Sequence, residues 1–353
     1  MEARRKKITF WISIAVAILI VAIVILNLIW GRPPEIREPE PTPTPEVTAE
    51  PEPTPEPMPE GEAMDTGRQD GVYTILLVGI DQMSMSTDVI MVAKFDTVRH
   101  EVNVVSIPRD TIINVDWDPR KINAVYAGSA NFGGNGIDAL AMHVRRMVGF
   151  TPDCYAVLNL NTFIEVIDLL GGVDFVVPQE VNYFFDDIEM RLYIHLNAGP
   201  QHLNGRQAMA LVRYRQGYID GDLGRLELQH SFLSACAEQF ITLGNIPNAR
   251  AVIRTLSENL STDLSSANIA WFLRQALLCR AENIHFSTMP CEPRNIQNYS
   301  YAVPHIDEWL TMLNSTINPL DREIGYGDLD IVYCGWGGSY GATTMLDGAW
   351  YYE

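Results

Sequence analysis

Four arginines and a set of aspartates carry the chemistry of this sequence. Asp81 follows the apolar run "YTILLVGI", Asp88 opens "DVIMVAKFD", and Arg109 and Asp110 close "EVNVVSIPRD". Lys121 and Asn123 follow in "RKINAVY"; Arg213 and Arg215 stand two apart in "VRYR", with Asp222, Arg225 and Gln229 next in "DGDLGRLELQ". Several lie where apolar runs end, and open α/β sheets bind ligands beyond their strand ends. Guanidinium groups crowded together repel one another unless an anion sits among them, and crowded aspartates need a cation. A polyphosphate with a divalent ion, Mg²⁺ or Mn²⁺, meets both needs. Guanidinium forks grip phosphate oxygens bidentately, and Mg²⁺ takes one or two protein carboxylates plus phosphate oxygens. Singly, each residue also fits a surface ion pair worth under about 1 kcal/mol. The set is harder to explain that way.

Other patterns carry less. "GGSYG", residues 337–341, fits the G-x-S-x-G serine-hydrolase pattern, but no histidine follows Ser339, and in that fold one must. No Walker A loop and no complete GxGxxG occurs. A net charge of −19 disfavours nucleic acid as a partner. The five cysteines form no CxxC or Cys/His ligand pattern; Cys279 and Cys291 are close enough to close a loop, which spacing alone does not establish.

The elements that must position the charged residues follow from the apolar patterning. "GVYTILLVGID", "DVIMVAKFD" and "EVNVVSIPRD" read as three strands, the last stopped by Pro108, which cannot donate to a ladder. "GIDALAMHVRRMVGF" has helical spacing and ends at Gly149. "CYAVLNLNTFIEVIDLLGGVDFVV" gives strand, helix, Gly-Gly turn and strand. Asn204 caps a short helix, "GRQAMAL", which hands over to a "VRYR" strand; side chains two apart on a strand share a face, so Arg213 and Arg215 would point the same way. The glycines of "DGDLGR" would let a loop approach a ligand closely. Helical patterns also cover 225–244, 247–257 and 266–282. Interleaved strands and helices predict an α/β fold, a single domain over 71–315 with a central mixed β-sheet flanked by helices. Residues 316–353, rich in glycine and aromatics towards their end, read as an irregular extension.

The N-terminus sets a location. Ile8 to Trp30 is 23 residues without a charge, as a helix roughly 34 Å long and enough to cross a bilayer core. Arg4, Arg5, Lys6 and Lys7 precede it, so residues 1–7 should stay cytoplasmic and the rest lie outside the cell membrane. A cleaved signal peptide fits less well, since no small-x-small cleavage site follows Trp30. Residues 31–70 hold eleven of the chain's 21 prolines and cannot bury a core; they read as a disordered, extended tether.

In order and spacing, "LLVGIDQMSMSTDVIMVAKFD", "VSIPRDTIINV", "KINAVYA", "IHLNAGPQHLNGRQAMALVRYR" and "DGDLGRLELQ" resemble the LytR-CpsA-Psr family over about residues 72–240. The resemblance implies an enzyme that transfers a glycopolymer from a polyprenyl-pyrophosphate carrier to the 6-hydroxyl of peptidoglycan N-acetylmuramic acid, with an apolar pocket for the prenyl chain. It implies Asp81 and Asp88 as metal ligands, Arg109 as a pyrophosphate contact beside Asp110, Lys121 and Asn123 as the "KIN" motif, Arg213 and Arg215 as the paired arginines, and Arg225 and Gln229 as the "GRxxRQ" segment. Ser86 and Leu228 stand where the family usually has arginine. On chemical grounds the arginines would meet charge that grows as the bond to the sugar or to phosphorus breaks, and Asp110 is the candidate base for the attacking hydroxyl. A phosphohydrolase, with water as the acceptor, and a wall-binding or regulatory protein that keeps the cleft without turnover are the alternatives.

Overall fold

The computed structural model describes residues 67–342, apart from 81–85, 132–133, 185–192, 215–221, 243–248, 297 and 335–339, together with Pro33, Pro34 and Ile36. The expected membrane segment 8–30, most of the tether, Asp81, Arg215 and Ser339 lie outside the described residues. Among the described residues, no helix is long and apolar enough to cross a membrane.

In chain order the elements are β1 (Val72–Ile80), β2 (Thr87–Asp96), β3 (Glu101–Ser106), α1 (Asn123–Asn131), α2 (Gly136–Val148), β4 (Cys154–Asn159), α3 (Leu160–Leu169), β5 (Val173–Val177), β6 (Val181–Phe184), β7 (Tyr193–Leu196), β8 (Gly199–Leu203), α4 (Gly205–Arg213), α5 (Asp222–Thr242), α6 (Ala249–Asn259), β9 (Ser261–Thr262), α7 (Ser266–Ala276), β10 (Ile284–Thr288), β11 (Cys291–Ile296), β12 (Tyr299–Pro304), α8 (Ile306–Thr316), β13 (Val332–Cys334) and β14 (Tyr340–Ala342). Six strands make the central sheet in the order β10-β3-β2-β1-β4-β9. β1 pairs antiparallel with β2 and parallel with β4, and β3 pairs parallel with β10, so the sheet is mixed as expected.

Strand alternation gives the sheet two different faces. Leu76, Val78, Ile90, Val92, Val105 and Val157 point into the main core with Leu140, Val144, Trp309 and Leu313 of α2 and α8. Their neighbours Leu77, Val89, Met91, Ala156 and Leu158 point the other way and line a cavity. That second face is covered by α3 to α6, so the cavity lies between sheet and helices.

The structure departs from the sequence reading at several places. The segment 212–213 is not a strand: α4 runs through Arg213, because a capping box starts it, with Asn204 accepting from the Gln207 N–H and Gln207 from the Asn204 N–H, each at 3.0 Å. Backbone turns extended only at Tyr214, so Arg213 sits on a helix and not on a strand. The glycine-containing "DGDLGR" is not wholly loop: α5 begins at Asp222 and carries Arg225 in its first turn. β5 does not join the central sheet but pairs with β8 in a ribbon of its own. The stretch read as an irregular extension contributes Ile317, Leu320, Ile324, Leu329 and Ile331 to the main core, and β13 pairs with β14. Cys154, Cys236, Cys279 and Cys291 are free, so no bridge joins Cys279 to Cys291.

Candidate active site

The cavity has a volume of about 1060 Å³ and two kinds of wall. Ser86, Asp88, Arg109, Arg213, Arg225 and Gln229 supply its charged and polar side, and Leu77, Met91, Ala156, Phe163, Met209, Leu233, Leu256 and Leu260 are among its apolar walls. Sheet register orders these sets. Ile80, Asp88 and Arg109 stand at one end of β1, β2 and β3, whereas Leu77, Ala156 and Met91 form a row across three strands, three residues back along β1. At about 3.3 Å per residue that is roughly 10 Å from the end of the strand. The cavity therefore runs from a charged rim to an apolar interior.

Each rim residue is placed by a local feature. Asp88 is the second residue of β2, beside a register shift between Gly79 and Ile80, and its Oδ1 accepts from Arg109 Nη1 at 2.8 Å. Arg109 follows Pro108, whose carbonyl accepts from both the N–H and the hydroxyl of Thr111. Arg213 ends α4. Gly205 lets that helix sit close: a Cβ there would lie 2.2 Å from the Ile164 carbonyl oxygen. Arg225 is 2% exposed, so its charge is held largely away from solvent, where it acts more strongly on a ligand. Gln229, 7% exposed, donates through Nε2 to the Val212 carbonyl at 3.0 Å and ties α5 to the end of α4. Both helix-borne arginines line the cavity.

Asp110, Lys121 and Asn123 are not among the cavity-lining residues. Lys121 Nζ donates to Asp110 Oδ1 at 2.8 Å, and Asp110 Oδ2 lies 3.8 Å from Arg109 Nε. The Asn123 N–H donates to the Arg109 carbonyl at 3.2 Å, and the Lys121 ammonium lies 5.8 Å from the centre of the Tyr301 ring. The "PRD" and "KIN" segments thus clamp Arg109 from behind. This placement does not support Asp110 as the base for a hydroxyl in the cavity; the carboxylate is occupied by cations outside it. Asp222 opens α5, and its side chain lies outside the described residues.

The two substituted positions part company. Leu228 is 5% exposed and packs with Leu211, Met209 and Phe232 in a second core cluster, so its apolar character serves packing. Ser86 lines the cavity, which therefore has one cation fewer at its rim. Sequence reasoning missed the apolar walls, and also Asn182, Tyr183 and Phe184 of β6, which line the cavity. Nothing in their local sequence marks them, since apolar and aromatic residues of a core look the same.

The rim's donor set fits Mg²⁺. Asp88 offers hard carboxylate oxygen, and among the described residues no group of three or more His, Cys, Asp or Glu side chains could hold a metal. Mg²⁺ takes one or two protein carboxylates and completes its shell with water and phosphate oxygens. Asp81, the second expected ligand, lies outside the described residues.

The site is thus a charged rim opening on an apolar cavity. Residues 46–318 match the LytR_cpsA_psr family, and the chain belongs to it. It is 28% identical over 204 residues to the polyisoprenyl-teichoic acid–peptidoglycan teichoic acid transferase TagV of Bacillus subtilis, covering 54% of this chain and 50% of that protein. It is 28% identical over 252 residues to the corresponding transferase TagU of Halalkalibacterium halodurans, covering 68% and 76%. Biofilm regulatory protein A of Streptococcus mutans is 22% identical over 59% of this chain and 54% of its own length. The chain thus spans about half the length of the first of these relatives. In fold it is similar to the crystal structure of B. subtilis TagV, with TM-score 0.58 and 24% identity over 70% of this chain and 96% of that one. TagT bound to LI-WTA gives TM-score 0.56 and 21% identity over 74% and 94%.

Proposed function

We propose that this protein is a membrane-anchored transferase that moves a glycopolymer from a polyprenyl-pyrophosphate carrier to peptidoglycan. The observation that carries the proposal is the cavity: arginines meet Asp88 at its rim, and its interior is lined with leucine, methionine and phenylalanine. A prenyl chain has the apolar surface those walls require, at about 0.8 kcal/mol per buried CH₂. A diphosphate has the charge and oxygen geometry that guanidinium forks grip.

The residues of this chain bind, orient and stabilise. Arg213 and Arg225 hold the diphosphate oxygens from the helix side, and Arg109, clamped by Asp110 and Lys121, meets them from the sheet side. The acceptor hydroxyl attacks the phosphorus that bears the glycopolymer, and its proton passes to solvent. The bond from that phosphorus to the bridging oxygen breaks, and the prenyl phosphate leaves with the electron pair. Charge shifts onto the bridging oxygen, and preorganised arginines out of water stabilise it there. A Mg²⁺ ion held through Asp88, with Asp81 as its expected partner, would neutralise the diphosphate and stabilise the leaving phosphate. The 8–30 segment would keep the enzyme in the membrane that holds the carrier, raising effective concentration, while the Pro/Glu-rich tether gives reach.

One observation favours a second reading: Ser86 lines the rim where the family usually places arginine, which fits a wall-binding or regulatory protein. Full-length protein in detergent, given Mg²⁺, a prenyl-diphosphate saccharide and peptidoglycan, separates the cases. Saccharide joined to peptidoglycan supports the transferase. Release into water without transfer indicates a hydrolase, and neither product with tight lipid binding indicates the second reading.

A further inference from the structure

The described rim would meet a divalent ion through Asp88, and Arg109 already holds that carboxylate. Its Nη1 donates to Oδ1 at 2.8 Å, with the Asp88 side chain 27% exposed and that of Arg109 19% exposed. An ion entering the ligand-free rim competes with this guanidinium for the carboxylate, and drawing Asp88 away from a largely buried charge at 2.8 Å is costly. Arg109 has little freedom to retreat, because Asp110 and Lys121 pack behind it and the Asn123 N–H fixes its carbonyl. A diphosphate changes the balance, since its oxygens receive the guanidinium as the carboxylate is given up.

We propose that Arg109 is a stand-in cation on Asp88, so that the divalent ion and the diphosphate enter together instead of metal first. The inference rests on the proposed diphosphate site and deepens it. In the empty protein Arg109 neutralises the carboxylate and suppresses metal uptake. With the lipid bound, the same arginine turns to phosphate and Asp88 becomes available as a ligand. Arg109 thereby acts as a positioning residue for the ion as well as a contact for the head group, and no covalent bond changes in the exchange.

The test is Mn²⁺ binding to the full-length protein in detergent without phosphate, followed by electron paramagnetic resonance. Arg109→Gln should bind Mn²⁺ at least about tenfold more tightly than the unsubstituted protein, the worth of one charge-assisted hydrogen bond. Arg213→Gln removes the same unit of charge from the cavity wall and should give a clearly smaller gain. Adding Asp88→Asn to Arg109→Gln should abolish the gain. Equal tightening in both single variants would assign the effect to general repulsion and overturn the proposal; so would an unchanged affinity, or a gain that survives Asp88→Asn. Should Arg109→Gln fail to fold, Arg109→Lys, which keeps the charge but not the fork, should tighten Mn²⁺ by a lesser factor, and no tightening overturns the idea equally. Prenyl diphosphate binding in metal-free buffer is measured in parallel. If it persists while the Mn²⁺ result fails, the lipid site stands and only the stand-in role falls.

Discussion

Filling the cavity from the sheet side should improve the fold and damage the function together. Ala156 is the register partner of Leu77 on β1, which is the partner of Met91 on β2, and all three line the cavity. Ala156→Phe would add roughly 100 Å³ of side chain at the density of a protein interior, about a tenth of the 1060 Å³ available. That volume corresponds to about four chain carbons of a packed hydrocarbon, and at ~0.8 kcal/mol each the variant should lose about 3 kcal/mol of prenyl binding, over a hundredfold in Kd. The phenyl ring meanwhile buries apolar surface that the cavity otherwise leaves unmatched, worth about 1–3 kcal/mol of stability and several degrees in Tm. Affinity comes from titrating the detergent-solubilised protein with a prenyl diphosphate, and Tm from differential scanning calorimetry on the same sample. Weaker binding with a raised Tm is the expected pair. An unchanged Kd would refute the assignment of the cavity to the prenyl chain, and a lowered Tm would show that the position has no room to fill.

Four further outcomes follow from the same structure. Arg225→Met keeps bulk on a buried wall but removes the charge, so Kd for a prenyl diphosphate should rise by about ten- to a hundredfold while that for the uncharged prenyl alcohol stays put. Lys121→Met unclamps Asp110 and so Arg109; transfer kcat should fall about tenfold with the fold intact by circular dichroism. Asn204→Ala breaks the capping box that carries α4 and Arg213, costing about 1 kcal/mol in urea unfolding. His143 lies 93% buried on α2, given its 7% exposure, and burial, helped by nearby Arg146 and opposed by Asp330, pulls it down to about 4. Both states are neutral above the ordinary histidine range; as pH falls from about 6.5 towards 4, the unfolded chain takes a proton that the folded one resists. Stability should drop by about 3 kcal/mol over that window, and His143→Leu should flatten the profile there.

Asp88, Arg109, Arg213, Arg225 and Gln229 were legible as residues of the rim, whereas an apolar pocket was implied by resemblance but none of its residues was. Asp88 and Arg109 could be placed because the three strands that end beside them are continuous apolar runs, a pattern that depends little on the rest of the fold. Arg213 was placed on the wrong element because Val212 and Tyr214 favour strands locally, whereas the Asn204–Gln207 cap had already committed the segment to helix. That error leaves the residue at the rim but changes its neighbours, since the end of α4 is joined to α5 through Gln229. Leu256, Leu260 and Phe163 carry no mark in the sequence: an apolar residue facing a cavity looks the same as one facing a core. The ribbon β6–β7 and the hairpin β11–β12 were also hidden, the latter because "CEPRNI" interrupts its strand character with proline and charge.

The most direct test of the account is photocrosslinking of the full-length protein with a prenyl diphosphate that carries a diazirine midway along its chain, followed by peptide mass spectrometry. The account predicts labels on Leu77, Met91, Ala156 or Leu256, lost on competition with unlabelled lipid and weakened by Arg225→Met. Labels confined to the outer surface, or labelling of the cavity indifferent to the diphosphate and to Arg225, would contradict it.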